Sequence, residues 1–299
     1  MEKIRGRILK GIGGFYYVET ELGLVECRAR GSFRNKEMSP YVGDFVSIEF
    51  DKQKMSGVVN EIFERKNSLV RPAVSNIDKL YIVCSTTLPE PNFLNIDKLT
   101  AIAVHSGIEP VIVISKTDLN SSDNLKEIYQ KAGFTVYLTN AETLEGAEEI
   151  RASLSGFVSV FTGNSGVGKS TLINQMFPNL DLKTGEVSLK LSRGRHTTRH
   201  VEFFLLPEGG YLADTPGFSS IDFEGYTVIK KDEVADCFPE FEPFLGGCRF
   251  PDCGHVGERD CAVKSAVLNG DIPASRYDSY CELYREAEKL RDWELKQKR

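Results

Sequence analysis

Apolar and polar residues alternate with a period of two through residues 1–65. The alternating runs are Arg7-Ile8-Leu9, Phe15-Tyr16-Tyr17-Val18, Leu22-Gly23-Leu24-Val25, Asp44-Phe45-Val46-Ser47-Ile48 and Gly57-Val58-Val59. Turn residues separate them: Gly11–Gly14, Gly31-Ser32, Pro40 and Gly43. Five short strands in a stretch of this length predict a small β-barrel. An OB-fold is the reading adopted, although an SH3-like barrel would give the same pattern. Residues 66–76, with Arg71-Pro72, read as a connector.

From residue 77 the period changes. Apolar-rich runs at Leu80–Cys84, Pro110–Ile114, Phe134–Leu138 and Phe157–Phe161 predict strands, with two more at Val201–Leu206 and Tyr211–Ala213. Between them, Phe93–Val104, Leu125–Lys131, Leu144–Leu154 and Lys169–Met176 have helical spacing. Alternating strands and helices predict a parallel sheet covered by helices. From about residue 227 the texture changes again, with a Cys/His cluster and then helical segments near Ala262–Leu268 and Arg276–Leu290. The expectation is a multidomain chain with boundaries at 1–70, 71–226 and 227–299: a β-barrel, an α/β domain and a metal-binding α-helical domain.

Composition adds limits. The chain is 299 residues long, which favours more than one domain. No apolar run approaches the roughly 18–20 residues that span a bilayer. Met1-Glu2-Lys3-Ile4-Arg5 lacks the apolar centre of a signal peptide. A cytoplasmic protein without membrane contact is expected. Its seven cysteines are then metal ligands or core thiols rather than disulfides. Net charge is −6, yet residues 1–36 carry eight Lys/Arg against four Glu, a local +4. Residues 183–200 carry five Lys/Arg against Glu186, again +4. Such patches suit either solvent or a polyanion.

The strongest chemical signal is Gly163-Asn164-Ser165-Gly166-Val167-Gly168-Lys169-Ser170, followed by Thr171, between a predicted strand and a predicted helix. Glycines let successive N–H groups turn towards phosphate, Lys169 brings a point charge to the β/γ-phosphates, and Ser170 offers a hydroxyl to Mg²⁺. Asp214-Thr215-Pro216-Gly217 ends a later strand. There Asp214 can hold the ion through water and Gly217 can offer its N–H to a γ-phosphate. Between them, in Arg193-Gly194-Arg195-His196-Thr197-Thr198-Arg199, a Thr can bind Mg²⁺ and report the γ-phosphate, Thr198 being chosen over Thr197, while His196 is a candidate for positioning water or binding RNA and the loop also reads as a plain basic surface loop. Upstream, Ser115-Lys116-Thr117-Asp118 ends a strand. A carboxylate at Asp118 can accept from N1–H and the 2-amino group of guanine, donors that adenine lacks at those positions. The Lys116 stem can cover the base, and Asn140-Ala141 can offer a backbone N–H to its oxygen. The substrate read from these residues is GTP, hydrolysed to GDP with Mg²⁺. A P-loop ATPase or small-molecule kinase would share the loop but not Asp118. An RNA-binding module with a vestigial site would not need Lys169, Ser170 and Asp214.

The spacing Cys248-x4-Cys253-x-His255-x5-Cys261 provides three thiolates and one imidazole, a closed tetrahedral set for one structural Zn²⁺. Cys237 is the alternative ligand, while Cys27, Cys84 and Cys281 read as core thiols.

The motif order is unusual, because the guanine-reading residues precede the phosphate loop. With a barrel in front and a Cys-Cys-His-Cys knuckle behind, the chain resembles the circularly permuted, small-ribosomal-subunit-dependent GTPases of the RsgA/YjeQ type. The resemblance rests on Gly163–Thr171, Gly194-Arg195-His196-Thr197-Thr198, Asp214-Thr215-Pro216-Gly217-Phe218 and the Cys248–Cys261 spacing. It implies an OB-fold, a GTPase domain and a zinc domain. It further implies late small-subunit maturation, binding to the small subunit and its rRNA, and slow hydrolysis stimulated by that subunit; the protein is taken as a monomer. Two departures stand out: Ser115 where many GTPases have Asn, and Asn140-Ala141 where Ser-Ala is usual. Phe218 follows Gly217 where Ras-like enzymes place a water-orienting Gln, so intrinsic turnover is expected to be slow.

Overall fold

A computed structural model of the chain describes residues 2–31, 33, 39–70, 72–178, 201–214 and 229–290. The alternating N-terminal segment forms β1 (Glu2–Ile12), β2 (Phe15–Thr20), β3 (Gly23–Ala29), β4 (Phe45–Asp51) and β5 (Ser56–Ile62). They close in the order β1-β2-β3-β5-β4 with a return pairing of β4 to β1. The β3–β5 contact is parallel and the other contacts are antiparallel, which gives the barrel its OB-like topology. Alternation places Ile4, Ile8, Val18, Val25, Val46, Ile48 and Val59 inside.

The expected connector contains a small hairpin, β6 (Ser68–Leu69) and β7 (Val74–Ser75). Its Leu69 and Val74 are buried, and Asn67 pins it to the segment leading into the next strand through Nδ2–H to Ile77 O and Ile77 N–H to Oδ1, each 2.8 Å. Two apolar side chains and one asparagine therefore order a segment with no recognisable strand period.

The α/β region comprises β8 (Lys79–Ser85), α1 (Phe93–His105), β9 (Glu109–Ser115), α2 (Asp123–Lys131), β10 (Thr135–Leu138), α3 (Ala147–Leu154), β11 (Val158–Thr162), α4 (Lys169–Met176), β12 (Glu202–Leu205) and β13 (Tyr211–Asp214). Strand order is β10-β9-β8-β11-β13-β12, parallel from β10 to β13. The expected all-parallel sheet is corrected at β12, which runs antiparallel to β13. Only the short segment Leu206–Gly210 joins those two strands, too little chain for a crossover. Burial on both faces explains the apolar-rich runs. Leu80, Ile82, Ile112 and Ile114 pack in one core with Leu99 and Ile102 of α1, whereas Tyr81, Val83, Val111 and Val113 pack in another with Ile150 of α3 and Leu172 of α4. Asn92 starts α1 by accepting from Asn95 N–H at 3.0 Å.

Short 3₁₀ turns at Lys231–Glu233, Ala235–Cys237 and Pro239–Phe244 lead into the Cys/His segment, then α5 (Ala262–Asn269) and α6 (Ala274–Glu288). Two joints fasten the parts. At the first, β1 pairs with β12 through Lys10 and Glu202, and the Arg7 guanidinium lies over the rings of Phe45, Phe203 and Tyr211 at 5.0, 5.4 and 4.8 Å. At the second, fully buried Arg276 of α6 reaches Asp97 Oδ1 of α1 at 2.8 Å and Glu240 Oε1 at 2.6 Å.

Candidate functional site

The site gathers at the carboxyl ends of the parallel strands, where open α/β sheets bind ligands. The chain leaves β11 at Thr162, passes through residues 163–168 and enters α4 at Lys169. Gly163 has φ 141°, and a Cβ there would lie 2.1 Å from Val83 O, so a side chain is excluded by the neighbouring strand. Gly168, at φ 95°, directly precedes the helix, leaving the first-turn N–H groups of α4 turned towards the loop. Lys169 Nζ donates to Gly163 O at 2.5 Å and Asn164 O at 2.8 Å. Burial holds the Lys169 ammonium down at about 8. A phosphate placed against it would restore the charged form, because an anion offsets the desolvation cost.

The residues expected to read the base stand on adjacent strand ends. Lys116, at φ 58°, turns the chain out of β9, and its Nζ donates to Leu88 O. Thr117 N–H and Oγ1 reach Thr139 O at 3.4 and 3.2 Å, joining the two base-side loops. Asp118 is exposed. Asn140 Oδ1 accepts from Glu142 and Thr143 N–H at 2.8 and 3.2 Å, and Asn140 N–H itself donates to Glu145 O. Gln175 Nε2 of α4 donates to Ala141 O at 2.8 Å, tying the base side to the helix behind the phosphate loop. Ser115 is buried, with its hydroxyl directed beneath the phosphate loop.

Asp214 is the last residue of β13, paired with Glu202, so its strand runs beside β11. His196, Thr197, Thr198, Gly217 and Phe218 lie outside the described residues. The structure thus brings Ser115–Asp118, Asn140-Ala141, Gly163–Thr171 and the end of β13 to one edge.

The second constellation lies in the C-terminal part. Ligand atoms of Cys248, Cys253, His255 and Cys261 all fall within 4.8 Å of one another. His255 Nδ1 is 3.5 Å from Cys248 Sγ and 3.4 Å from Cys261 Sγ. Desolvation lowers the His255 pKa, favouring the neutral imidazole that ligates metal, and burial pushes the Cys253 thiol up to about 12. Thiols so placed ionise together only against a bound cation, so the donor set fits Zn²⁺. Cys237 is not part of it: its Sγ donates to Glu233 O at 3.3 Å, and it is buried in the core.

Sequence reading did not find the residues that support these centres. Glu258 accepts from Gly254, Val256 and Gly257 N–H at 2.8, 3.0 and 3.0 Å, holding the turn that presents His255. Tyr277 and Tyr280 of α6 donate to His255 O and Gly254 O, each at 2.8 Å. A glutamate lying between two ligands, three residues after His255 and three before Cys261, and tyrosines on a later helix carry no local signature.

A phosphate loop with Ser115–Asp118 and Asn140-Ala141 before it in sequence and the Asp214 end of β13 after it, all on one edge of the sheet, define a circularly permuted P-loop GTPase fold. The profile of the RsgA GTPase family matches residues 62–224, and that of the RsgA N-terminal domain matches residues 5–59. The small ribosomal subunit biogenesis GTPase RsgA of Caldanaerobacter subterraneus subsp. tengcongensis is 48% identical over 289 residues, covering 96% of each chain. Its counterpart in Alkaliphilus metalliredigens is 43% identical, covering 96% of this chain and 99% of its own. Among solved structures, YjeQ from Thermotoga maritima superposes with a TM-score of 0.79 at 34% identity over 97% of this chain and 100% of its own. YloQ, described as a circularly permuted GTPase, superposes with a TM-score of 0.76 at 34% identity, with 97% of each chain covered. The chain belongs to the RsgA GTPase family.

Proposed function

We propose that this protein hydrolyses GTP to GDP and phosphate while bound to the small ribosomal subunit, late in the maturation of that subunit. The observation that carries the reading is the phosphate loop at the N-terminus of α4, set between base-side loops and β13 in a chain of this family. Curated relatives are named for small-subunit biogenesis over nearly their whole length, which supports the same partner here.

In this reading Gly163–Thr171 wrap the phosphates and Lys169 neutralises them. Asp118 pairs with guanine, Lys116 covers the base, and Thr117, Asn140 and Ala141 shape its pocket. Ser170 and Thr198 would hold Mg²⁺, with Asp214 in support, and the ion would supply charge neutralisation at the phosphates. Gly217 contacts the γ-phosphate. His196 positions water when the small subunit is bound, since Phe218 cannot hydrogen-bond to water. Cys248, Cys253, His255 and Cys261 hold one structural zinc. The barrel and the zinc domain grip rRNA, each being a domain in the division 1–70, 71–226 and 227–299. The protein acts in the cytoplasm as a monomer; no helix among the described residues is long and apolar enough to cross a membrane.

The test is the single-turnover GTPase rate with small subunits, with large subunits and with neither. Stimulation by the small subunit alone is expected. Equal rates in all three conditions would remove the proposed role.

A further inference from the structure

We propose that Ser115 is a positioning residue that latches the base-reading strand onto the phosphate loop, and that it sets affinity for the phosphates of the nucleotide rather than contacting the base. The inference deepens the GTP-site reading and rests on it.

Ser115 is the last residue of β9 and only 6% exposed. Its Oγ lies 2.6 Å from Val167 O, inside the phosphate loop, and 3.0 Å from Cys84 O, at the end of β8. Val167 O stands just outside the helical ladder of α4, whose first bond runs from Leu172 N–H to Gly168 O at 2.9 Å. The same hydroxyl would lie 4.0 Å from a Cβ placed on Gly168, so it sits directly under the turn into α4. The residue that follows, Lys116, has φ 58° and leads the chain away towards Asp118. Ser115 therefore faces inward to the loop while Lys116 and Asp118 turn outward.

The chemistry of a hydroxyl sharpens this. Serine has one O–H proton and here meets two carbonyl oxygens. The shorter contact assigns that proton to Val167 O, leaving Cys84 O with at most a weak share. A single neutral hydrogen bond thus fixes the loop carbonyl. That carbonyl in turn sets the direction of the next peptide N–H, on Gly168, one of the loop donors available to phosphate. Removing the hydroxyl leaves a buried carbonyl short of a partner and lets the loop relax.

The test measures equilibrium affinity for GDP and for inorganic tripolyphosphate, each by displacement of a fluorescent guanine nucleotide, in the full-length wild type, Ser115→Ala and Ser115→Thr. Ser115→Ala is expected to weaken both ligands by the same factor, about 2- to 12-fold, the fold-change of one neutral hydrogen bond. Preference for GDP over ADP should be unchanged, and Ser115→Thr, which keeps the hydroxyl, should restore both affinities. Loss of GDP affinity with tripolyphosphate unaffected would place Ser115 at the base and overturn the proposal, as would no change for either ligand. Thermal unfolding of the variants reports global damage: a loss confined to the phosphate ligands with an unchanged midpoint supports the latch, and a lowered midpoint that Ser115→Thr does not recover counts against it. If the wild type instead shows no preference for GDP over ADP, the guanine reading fails on its own, while the tripolyphosphate comparison still judges the latch.

Discussion

Each of the two joints in this molecule is built around one arginine, yet they work by different physics. At the barrel joint, the Arg7 guanidinium is surrounded by three aromatic rings and, among the described residues, makes one hydrogen bond, to Asn76 O at 3.2 Å, with Nε buried and without a hydrogen-bond partner there. Burial lowers its pKa, only partly opposed by Tyr211 and nearby carboxylates. At the zinc-domain joint, Arg276 is fully buried between Asp97 and Glu240, takes Thr100 Oγ1 as a further acceptor at 2.9 Å, and lies against Phe134 and Phe238. Its two carboxylate partners more than offset the desolvation and raise its pKa. Aromatic faces attract a cation without needing a fixed geometry, so the first joint tolerates change. A buried ion triad gives modest net stability but costs heavily when one member is lost, because the remaining charges stay buried. The second joint should therefore behave as all-or-none.

The largest effect is expected from metal removal. Tyr277 and Tyr280 tie the knuckle to the helix that carries Arg276, so stripping zinc should release that joint as well as the knuckle. The site energy at stake is on the order of 10 kcal/mol. Hydrogen exchange after chelation should rise along α6 and the Asp97–Thr100 turn of α1 while the barrel joint keeps its protection; uniform loss at both joints would erase the contrast. Arg276→Ala comes next, with about 3–5 kcal/mol lost in urea unfolding. A loss below about 1 kcal/mol would mean that packing, not charge, holds the second joint. Arg7→Ala should cost less, about 1–2 kcal/mol, with Arg7→Lys recovering only part because an ammonium lacks the planar face that stacks on rings. The smallest effect belongs to Lys10→Ala, which removes the half-exposed pair with Glu202 at 2.6 Å. It should cost under about 1 kcal/mol and become undetectable at about 1 M salt.

Much of this was legible from residue order. The phosphate loop was readable because its chemistry sits in eight consecutive residues, Gly163–Ser170, whose glycines and helix start are local features. The Cys/His cluster was readable because four donors fall within Cys248–Cys261, and the helix Lys169–Met176 was placed to the residue. The barrel was visible as alternation, but not which barrel, since the parallel β3–β5 closure is a long-range choice. β12 illustrates the same limit: its apolar run suited a parallel strand, and its short link to β13 decided otherwise.

What the sequence alone determined is therefore the set of contiguous chemical groups: the phosphate loop, the stretches Ser115–Asp118 and Asn140-Ala141, the Cys/His cluster and their permuted order. Only the tertiary structure decided which distant groups share a proton or a charge. Asp97 meets Arg276 across 179 residues, Ser115 reaches Val167 across 52, and Cys237 stays out of the knuckle despite lying near it in sequence. The physical reason is that periodicity and spacing encode backbone geometry over a few residues. The partner of a buried polar group depends instead on which strands and helices pack together, and that is set by burial across the whole chain.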